Sequence, residues 1–193
     1  GNFTFGGALL IYGQDGDDVI TIDPAVTRTA IIFAGTGNDN VNAGSGDDVL
    51  VGGAGADAFN GNAGRDILVG GLDADVLNGG PDDDILISGT TAYDGSASDL
   101  CQLSEEWSRT PQSYKASVGR IGHGKVKLTS ASTVFGSALS SDILSGGDGR
   151  DLFYATTPGD VLTDRARRFA VDRNSRTRLN VYAAPRGRVM AGV

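Results

Sequence analysis

AGTGNDNVN, AGSGDDVLV, GGAGADAFN, GNAGRDILV, GGLDADVLN, GGPDDDILI: residues 34–87 read as six nine-residue blocks set end to end without a gap. The sixth position of every block is Asp (Asp39, Asp48, Asp57, Asp66, Asp75 and Asp84). The eighth is always large and apolar (Val41, Leu50, Phe59, Leu68, Leu77 and Leu86). Gly dominates positions one, two and four, where it is expected to supply backbone with φ > 0, so the first six residues of a block form a tight turn. The last three are too few for a helix and read as a short strand, with position eight inward and its neighbours outward. Two blocks then close one coil with a strand on each side. Stacked coils give two parallel sheets whose position-eight side chains meet in a thin core.

The same register recurs outside this run. GGDGRDLFY at 146–154 places Asp151 at position six and Phe153 at position eight. Partial matches pair Asp142 with Leu144, Asp160 with Leu162 and, upstream in GQDGDDVIT at 13–21, Asp18 with Ile20. The expected fold class is therefore all-β: a right-handed parallel β-roll, or β-solenoid, with a small mixed α/β insertion and a disordered basic tail.

The consensus GGxGxDxUx, in which U is a large apolar residue, resembles the hemolysin-type calcium-binding nonapeptide of RTX proteins. The resemblance is strong over 34–87, good over 146–154 and partial at 13–21, 138–145 and 155–163. It implies a secreted bacterial protein whose turns bind Ca²⁺ and whose roll folds in its presence. The ligands it implies are the position-six Asp and carbonyl oxygens of the turns. The segment TTAYD, followed by EW and by TVF leading back into a nonapeptide, also resembles C-terminal regions of large bacterial surface proteins that carry these repeats.

Elementary electrostatics reaches the same residues. Blocks two apart share an edge of the roll, one strand spacing or about 4.8 Å from each other. Asp39, Asp57 and Asp75 form one column, and Asp48, Asp66 and Asp84 the other. Carboxylates that close repel by about 3 kcal/mol at an effective dielectric near 20. A Ca²⁺ with oxygens at about 2.4 Å on either side spans the gap and reverses the sign, whereas Mg²⁺ demands shorter bonds and stricter octahedral geometry. The regular blocks alone give the pairs 39/57, 57/75, 48/66 and 66/84. The full candidate metal set is Asp18, Asp39, Asp48, Asp57, Asp66, Asp75, Asp84, Asp142, Asp151 and Asp160. Asn62 replaces Gly at position two, and Asp73 and Asp82 replace it at position four; both residue types tolerate φ > 0, so these turns are expected to survive, with Asp73 and Asp82 as added ligands. Ser140 and Pro158 at position four make the late turns irregular.

Composition narrows the alternatives. The chain has 193 residues, with 30 Gly and 24 acidic residues, of which only Glu105 and Glu106 are Glu. Asp and Gly favour turns and Glu favours helices, so most of the chain is not helical. One Cys excludes an internal disulfide framework, and one His excludes a multi-His metal site. Residues 1–164 carry 8 Lys+Arg against 23 Asp+Glu, a net of −15; residues 165–193 carry 8 Arg against Asp172, a net of +7. The acidic body argues for cations and against nucleic acid. No apolar run reaches the roughly 20 residues of a membrane span. Gly1 reads as a cut within a longer protein, so any export signal is expected outside the chain.

The rest divides as follows. Residues 1–33, with β-rich runs at 9–12, 19–22 and 30–33, are expected as wider coils stacked before the roll. Residues 88–137 are expected as an insertion capping the roll's hydrophobic end, with a helix from a Ser98 cap to about Trp107, a second from Pro111 to Val118 and a strand at 125–135. Residues 138–164 are late coils, and 165–193 an Arg-rich tail. GRIGHGK at 119–125 has phosphate-loop spacing, but Val126 stands where Ser or Thr is required. His123 is expected in a solvated loop and Cys101 packed beside a helix. No nucleophile–base set stands apart from the repeats, so no enzymatic activity is expected. The expected role is a structural and interaction segment of a secreted or cell-surface protein. The alternative is the C-terminal folding and secretion module of an extracellular protease or lipase whose catalytic domain lies elsewhere. Expected partners are calcium and either other domains of the same longer protein or a cell-surface polymer.

Overall fold

The computed structural model describes residues 4–5, 7–109, 114–129, 133–136 and 140–163. The tail from Arg165, and Pro111, lie outside the described residues. Ten strands come first: β1 (Thr4–Phe5), β2 (Ala8–Asp15), β3 (Val19–Thr21), β4 (Ala30–Thr36), β5 (Asn40–Asn42), β6 (Val49–Ala54), β7 (Ala58–Asn60), β8 (Ile67–Leu72), β9 (Val76–Pro81) and β10 (Ile85–Ile87). The excursion that follows holds β11 (Thr90–Thr91), α1 (Ala97–Ser108), α2 (Tyr114–His123) and β12 (Val134–Phe135). The chain then returns as β13 (Ile143–Asp148), β14 (Leu152–Tyr154) and β15 (Val161–Leu162).

Successive strands alternate between two sheets. One has the order β1-β2-β4-β6-β8-β10-β14 and the other β15-β13-β9-β7-β5-β3. All pairs in both are parallel except β1 with β2, which closes one edge antiparallel. The nine-residue period sets the register: Ile31 pairs with Val49, Val49 with Ile67, and Ile67 with Ile85. The fold is a parallel β-roll. Its first coil is wider, with Leu9 against Ala30 and Val19 against Asn40, because the Asp23–Val26 turn adds residues. After the excursion the register resumes, with Ile143 on Val76 and Leu152 on Ile85. The excursion is thus looped out between two coils that stack as if it were absent.

Position-eight side chains fill the space between the sheets. Val41, Leu50, Phe59, Leu68, Leu77, Leu86, Leu144 and Phe153 form one core with Ile32 and Ala34. A second core lies on the outside of the seven-stranded sheet. There Val49, Val51, Ile67, Val69, Ile85 and Ile87 meet Leu100, Leu103, Trp107, Tyr114 and Ile121 of the helices. The excursion therefore covers the face of a sheet and not the end of the roll. The reason is legible in alternate blocks. One or both residues flanking position eight are Asn in NVN, AFN and VLN, but both are apolar in VLV, ILV and ILI, so one sheet is apolar on both faces and requires a second layer. The six-stranded sheet keeps an open outer face, where Asn78 Nδ2 donates to Asn60 Oδ1 (3.0 Å) and Asn60 Nδ2 to Asn42 Oδ1 (2.9 Å).

The local expectations in the excursion need correction. Helix α1 is capped by Ser96, not Ser98: Ser96 Oγ accepts from Asp99 N (3.4 Å) and donates to Asp99 Oδ2 (2.7 Å), a reciprocal bond at the helix start. Helix α2 runs on to His123 because Ser117 and Ile121 continue its buried side. Gly119 to His123 are thereby helical, not a phosphate loop. His123 is exposed, as expected, but at a helix end. Cys101 is half-buried against the outer core. Among the described residues of 125–135 only β12 is strand, and Thr129 and Thr133 bond each other. Among the described residues no helix is long and apolar enough to cross a membrane.

Candidate metal centre

Each turn ends at its position-six Asp, and stacking lines these residues up along two edges. One column is Asp18, Asp39, Asp57, Asp75, Asp142 and Asp160; the other is Asp48, Asp66, Asp84 and Asp151. All the sequence-predicted site residues fall in these columns. One hydrogen bond recurs along both columns: the Oδ1 of an Asp accepts from the backbone N–H of the Asp one coil earlier, except at Asp48, the start of the second column, where the donor is Ala30 N (2.6 Å). It links Asp39 N to Asp57 (2.9 Å), Asp57 N to Asp75 (2.9 Å), Asp48 N to Asp66 (2.7 Å) and Asp66 N to Asp84 (2.8 Å). It extends beyond the regular blocks to Asp18 N with Asp39 (2.8 Å), Asp75 N with Asp142 (2.8 Å) and Asp84 N with Asp151 (3.0 Å).

The second carboxylate oxygen has a different environment. Oδ2 of Asp18, Asp39, Asp57, Asp66, Asp75, Asp84 and Asp142 is buried with no hydrogen-bond partner. An orphaned buried oxygen of this kind is costly unless a cation or a proton compensates it. That of Asp18, Asp57, Asp66, Asp75 and Asp84 faces the position-one Gly of its own block (Gly13, Gly52, Gly61, Gly70 and Gly79), whereas position one of the Asp39 block is Ala34. A Cβ built on Gly52 would fall 2.2 Å from Asp57 Oδ2 and 2.2 Å from Gly70 O. On Gly61 it would fall 2.3 Å from Asp66 Oδ2 and 2.7 Å from Gly79 O. Thus a carboxylate oxygen of one coil and a position-one carbonyl of the next converge on one small space. Hard oxygens only, with anionic charge, suit Ca²⁺. Among the described residues no three His, Cys, Asp or Glu side chains gather at a point, so a cation here draws on carbonyls as well as carboxylates.

This geometry revises the role of glycine. Positions two and four adopt positive φ in five of the six regular blocks, as at Gly53 (113°) and Gly55 (125°), but not at Gly44 and Gly46 of the second. Asn62 (67°), Asp73 (70°) and Asp82 (82°) adopt it too, so the departures from Gly keep their turns. Position-one glycines such as Gly52 and Gly61 do not; they are needed for space beside the carboxylate. Asp73 and Asp82 are exposed and so stand outside the buried columns. Asp160 differs from the rest of its column. Its Oδ2 accepts from Ser88 Oγ (2.7 Å), Thr156 N (2.8 Å) and Thr157 N (3.0 Å), and its Oδ1 from Thr157 Oγ1 (2.6 Å) and Asp142 N (3.2 Å). Turn carbonyls are expected from the sequence without a position; the structure puts those of position one, such as Gly70 and Gly79, beside the carboxylates.

Burial drives the titration of these groups. It raises Asp57 and Asp142 to about 6, Asp48 to about 7, Asp75 to about 8, Asp66 to about 9 and Asp84 to about 10. Hydrogen bonds from backbone N–H oppose burial at Asp57, Asp142, Asp48, Asp75 and Asp66, and neighbouring carboxylates reinforce it. Asp160 is held below its ordinary value because its hydrogen bonds, from Thr157 foremost, outweigh burial.

The profile of the RTX calcium-binding nonapeptide repeat matches the chain in four copies, over residues 10–21, 30–59, 60–90 and 139–156. Comparison with curated proteins and with solved structures gave no match.

Proposed function

Since the chain is an RTX-type repeat protein and a calcium-binding β-roll segment, we propose that its two Asp columns are the calcium sites and that ion binding folds the roll. The ligands are Asp18, Asp39, Asp57, Asp66, Asp75, Asp84, Asp142 and Asp151, with carbonyls of the adjoining turns; Asp48, whose Oδ1 and Oδ2 accept from Ala30 N (2.6 Å) and Gly44 N (3.1 Å), opens the second column as a cap. Asp160, its oxygens committed to hydrogen bonds, closes the first column as a cap. When bound, calcium neutralises the paired carboxylates and joins one coil to the next. The observation that carries this reading is the row of buried Oδ2 atoms, five of them against a position-one glycine, with a carbonyl of the next coil beside those of Asp18, Asp57 and Asp66.

The chain acts as a structural and interaction segment of a secreted or cell-surface protein, where calcium is abundant. Sites on the order of 10⁻⁴–10⁻³ M suffice there. Isothermal titration calorimetry with Ca²⁺ tests the reading. Several equivalents should bind, Mg²⁺ should compete poorly, and Asp57→Asn should lose sites on both sides of that residue. No binding at millimolar Ca²⁺, or an unchanged isotherm for Asp57→Asn, would refute it.

A further inference from the structure

The two columns are not equivalent. Turn residues preceding the first column, namely Asp17, Asn38, Ala56, Ala74 and Ser141, are exposed. The second column lies beneath the helical excursion. Three of its turn carbonyls are gripped from above: Ser104 Oγ donates to Asp47 O (3.3 Å), Trp107 Nε1 to Asp83 O (2.8 Å) and Tyr114 OH to Asp151 O (3.2 Å). Two cations fasten the same edge. Arg65 lies 4.3 Å from the Trp107 ring centroid and 3.6 Å from Asp83, while Arg150 lies 5.1 Å from the Tyr114 ring and 2.9 Å from Asp83.

Two of the grips fall on peptide units that also serve the column. The peptide joining Asp83 to Asp84 gives its C=O to Trp107 and its N–H to Asp151 Oδ1 (3.0 Å). The peptide joining Asp47 to Asp48 gives its C=O to Ser104 and its N–H to Asp66 Oδ1 (2.7 Å). A rigid plane therefore connects each helix contact to a carboxylate of the column. A change that frees or fixes the carboxylate changes the plane, and hence the grip.

We propose that the helical excursion is a clamp on the second column: calcium in that column and docking of the helices on the sheet stabilise one another, while the open first column exchanges its ions independently. This rests on the Asp columns being calcium sites. Coupling of this kind is reciprocal, so it is measurable from either side.

Trp107, the chain's one tryptophan, is fully buried at the contact and reports docking. The calcium-loaded chain is mixed with an excess of a fluorescent chelator, and ion release and Trp107 emission are followed together. Two release phases are expected, with the emission change confined to the slow one. Trp107→Phe keeps an aromatic ring at the contact but removes the donor. In that variant the slow release should quicken about 3- to 10-fold, as for loss of one buried hydrogen bond, and the fast phase should not change. In the otherwise unaltered chain, Asp84→Asn should speed the Trp107 change and Asp57→Asn should not. A single release phase, an unchanged slow phase in Trp107→Phe, or equal effects of Asp84→Asn and Asp57→Asn would overturn the clamp. Absence of any calcium uptake before mixing would instead overturn the calcium sites themselves.

Discussion

Replacing Gly61 by Ala adds a single methyl at the point where the account places a ligand cradle. Its backbone is not in the positive-φ region, so Ala brings no conformational strain there, and any loss reports the space alone. The added carbon would lie 2.3 Å from Asp66 Oδ2, 2.9 Å from Asp66 Cγ and 2.7 Å from Gly79 O. Real Cβ contacts do not come under 3.0 Å. Gly79 O is backbone, and Asp66 is fully buried with its Oδ1 tied to Asp48 N, so neither retreats easily. Overpacking of this degree costs about 1–3 kcal/mol. Displacement of Asp66 Oδ2 should also remove calcium from the sites it serves, adding the lost linkage term in the calcium-loaded protein only. Gly95→Ala is the control, since nothing lies within 4 Å of its Cβ. Urea unfolding in millimolar Ca²⁺ measures the loss, and calorimetry counts the ions bound. Gly61→Ala with unaltered stability and stoichiometry would show that no cradle exists beside Asp66.

Other outcomes follow from the same geometry. Leu68→Ala removes a fully buried side chain from the inter-sheet core and should cost about 2–5 kcal/mol by urea unfolding; Val76→Ala, on the exposed face of the other sheet, should cost much less. Asp39→Ala and Asp57→Ala should weaken calorimetric calcium binding by similar amounts, because Asp18 continues the column past Asp39; a much milder Asp39→Ala would place the column's end there. Without calcium, the raised carboxyl groups favour the folded state when protonated. That stability is present below the ordinary value of 3.8 and is lost as pH rises through about 6 for Asp57 to about 10 for Asp84. Circular dichroism of the metal-free chain should accordingly show more β structure at pH 5 than at pH 8, and the reverse trend would contradict the burial of these groups.

Much of this was legible in the sequence because the roll is quasi-one-dimensional. Position eight of each block fixed the inner core, and position six fixed the two columns, since a strict period carries neighbours into contact without long-range information. The partial block around Asp142 joined the column although 67 residues separate it from Asp75. The excursion was harder. Its amphipathic helices showed an apolar side but not the surface that receives it, and only the apolar flanks of alternate blocks, Val49 and Val51 among them, pointed to the face of a sheet. Asp160 was assigned by register alone, and the donors that occupy it come from Ser88, Thr156 and Thr157, two of them outside any nonapeptide consensus position.

The central claim, that calcium in the Asp columns holds the roll together, is tested most directly by far-ultraviolet circular dichroism during removal and return of the ion at neutral pH. The buried, mutually repelling carboxylates predict loss of most β signal in excess chelator and its recovery in millimolar Ca²⁺ but not in equal Mg²⁺. An unchanged spectrum and melting temperature in the chelator would contradict the account.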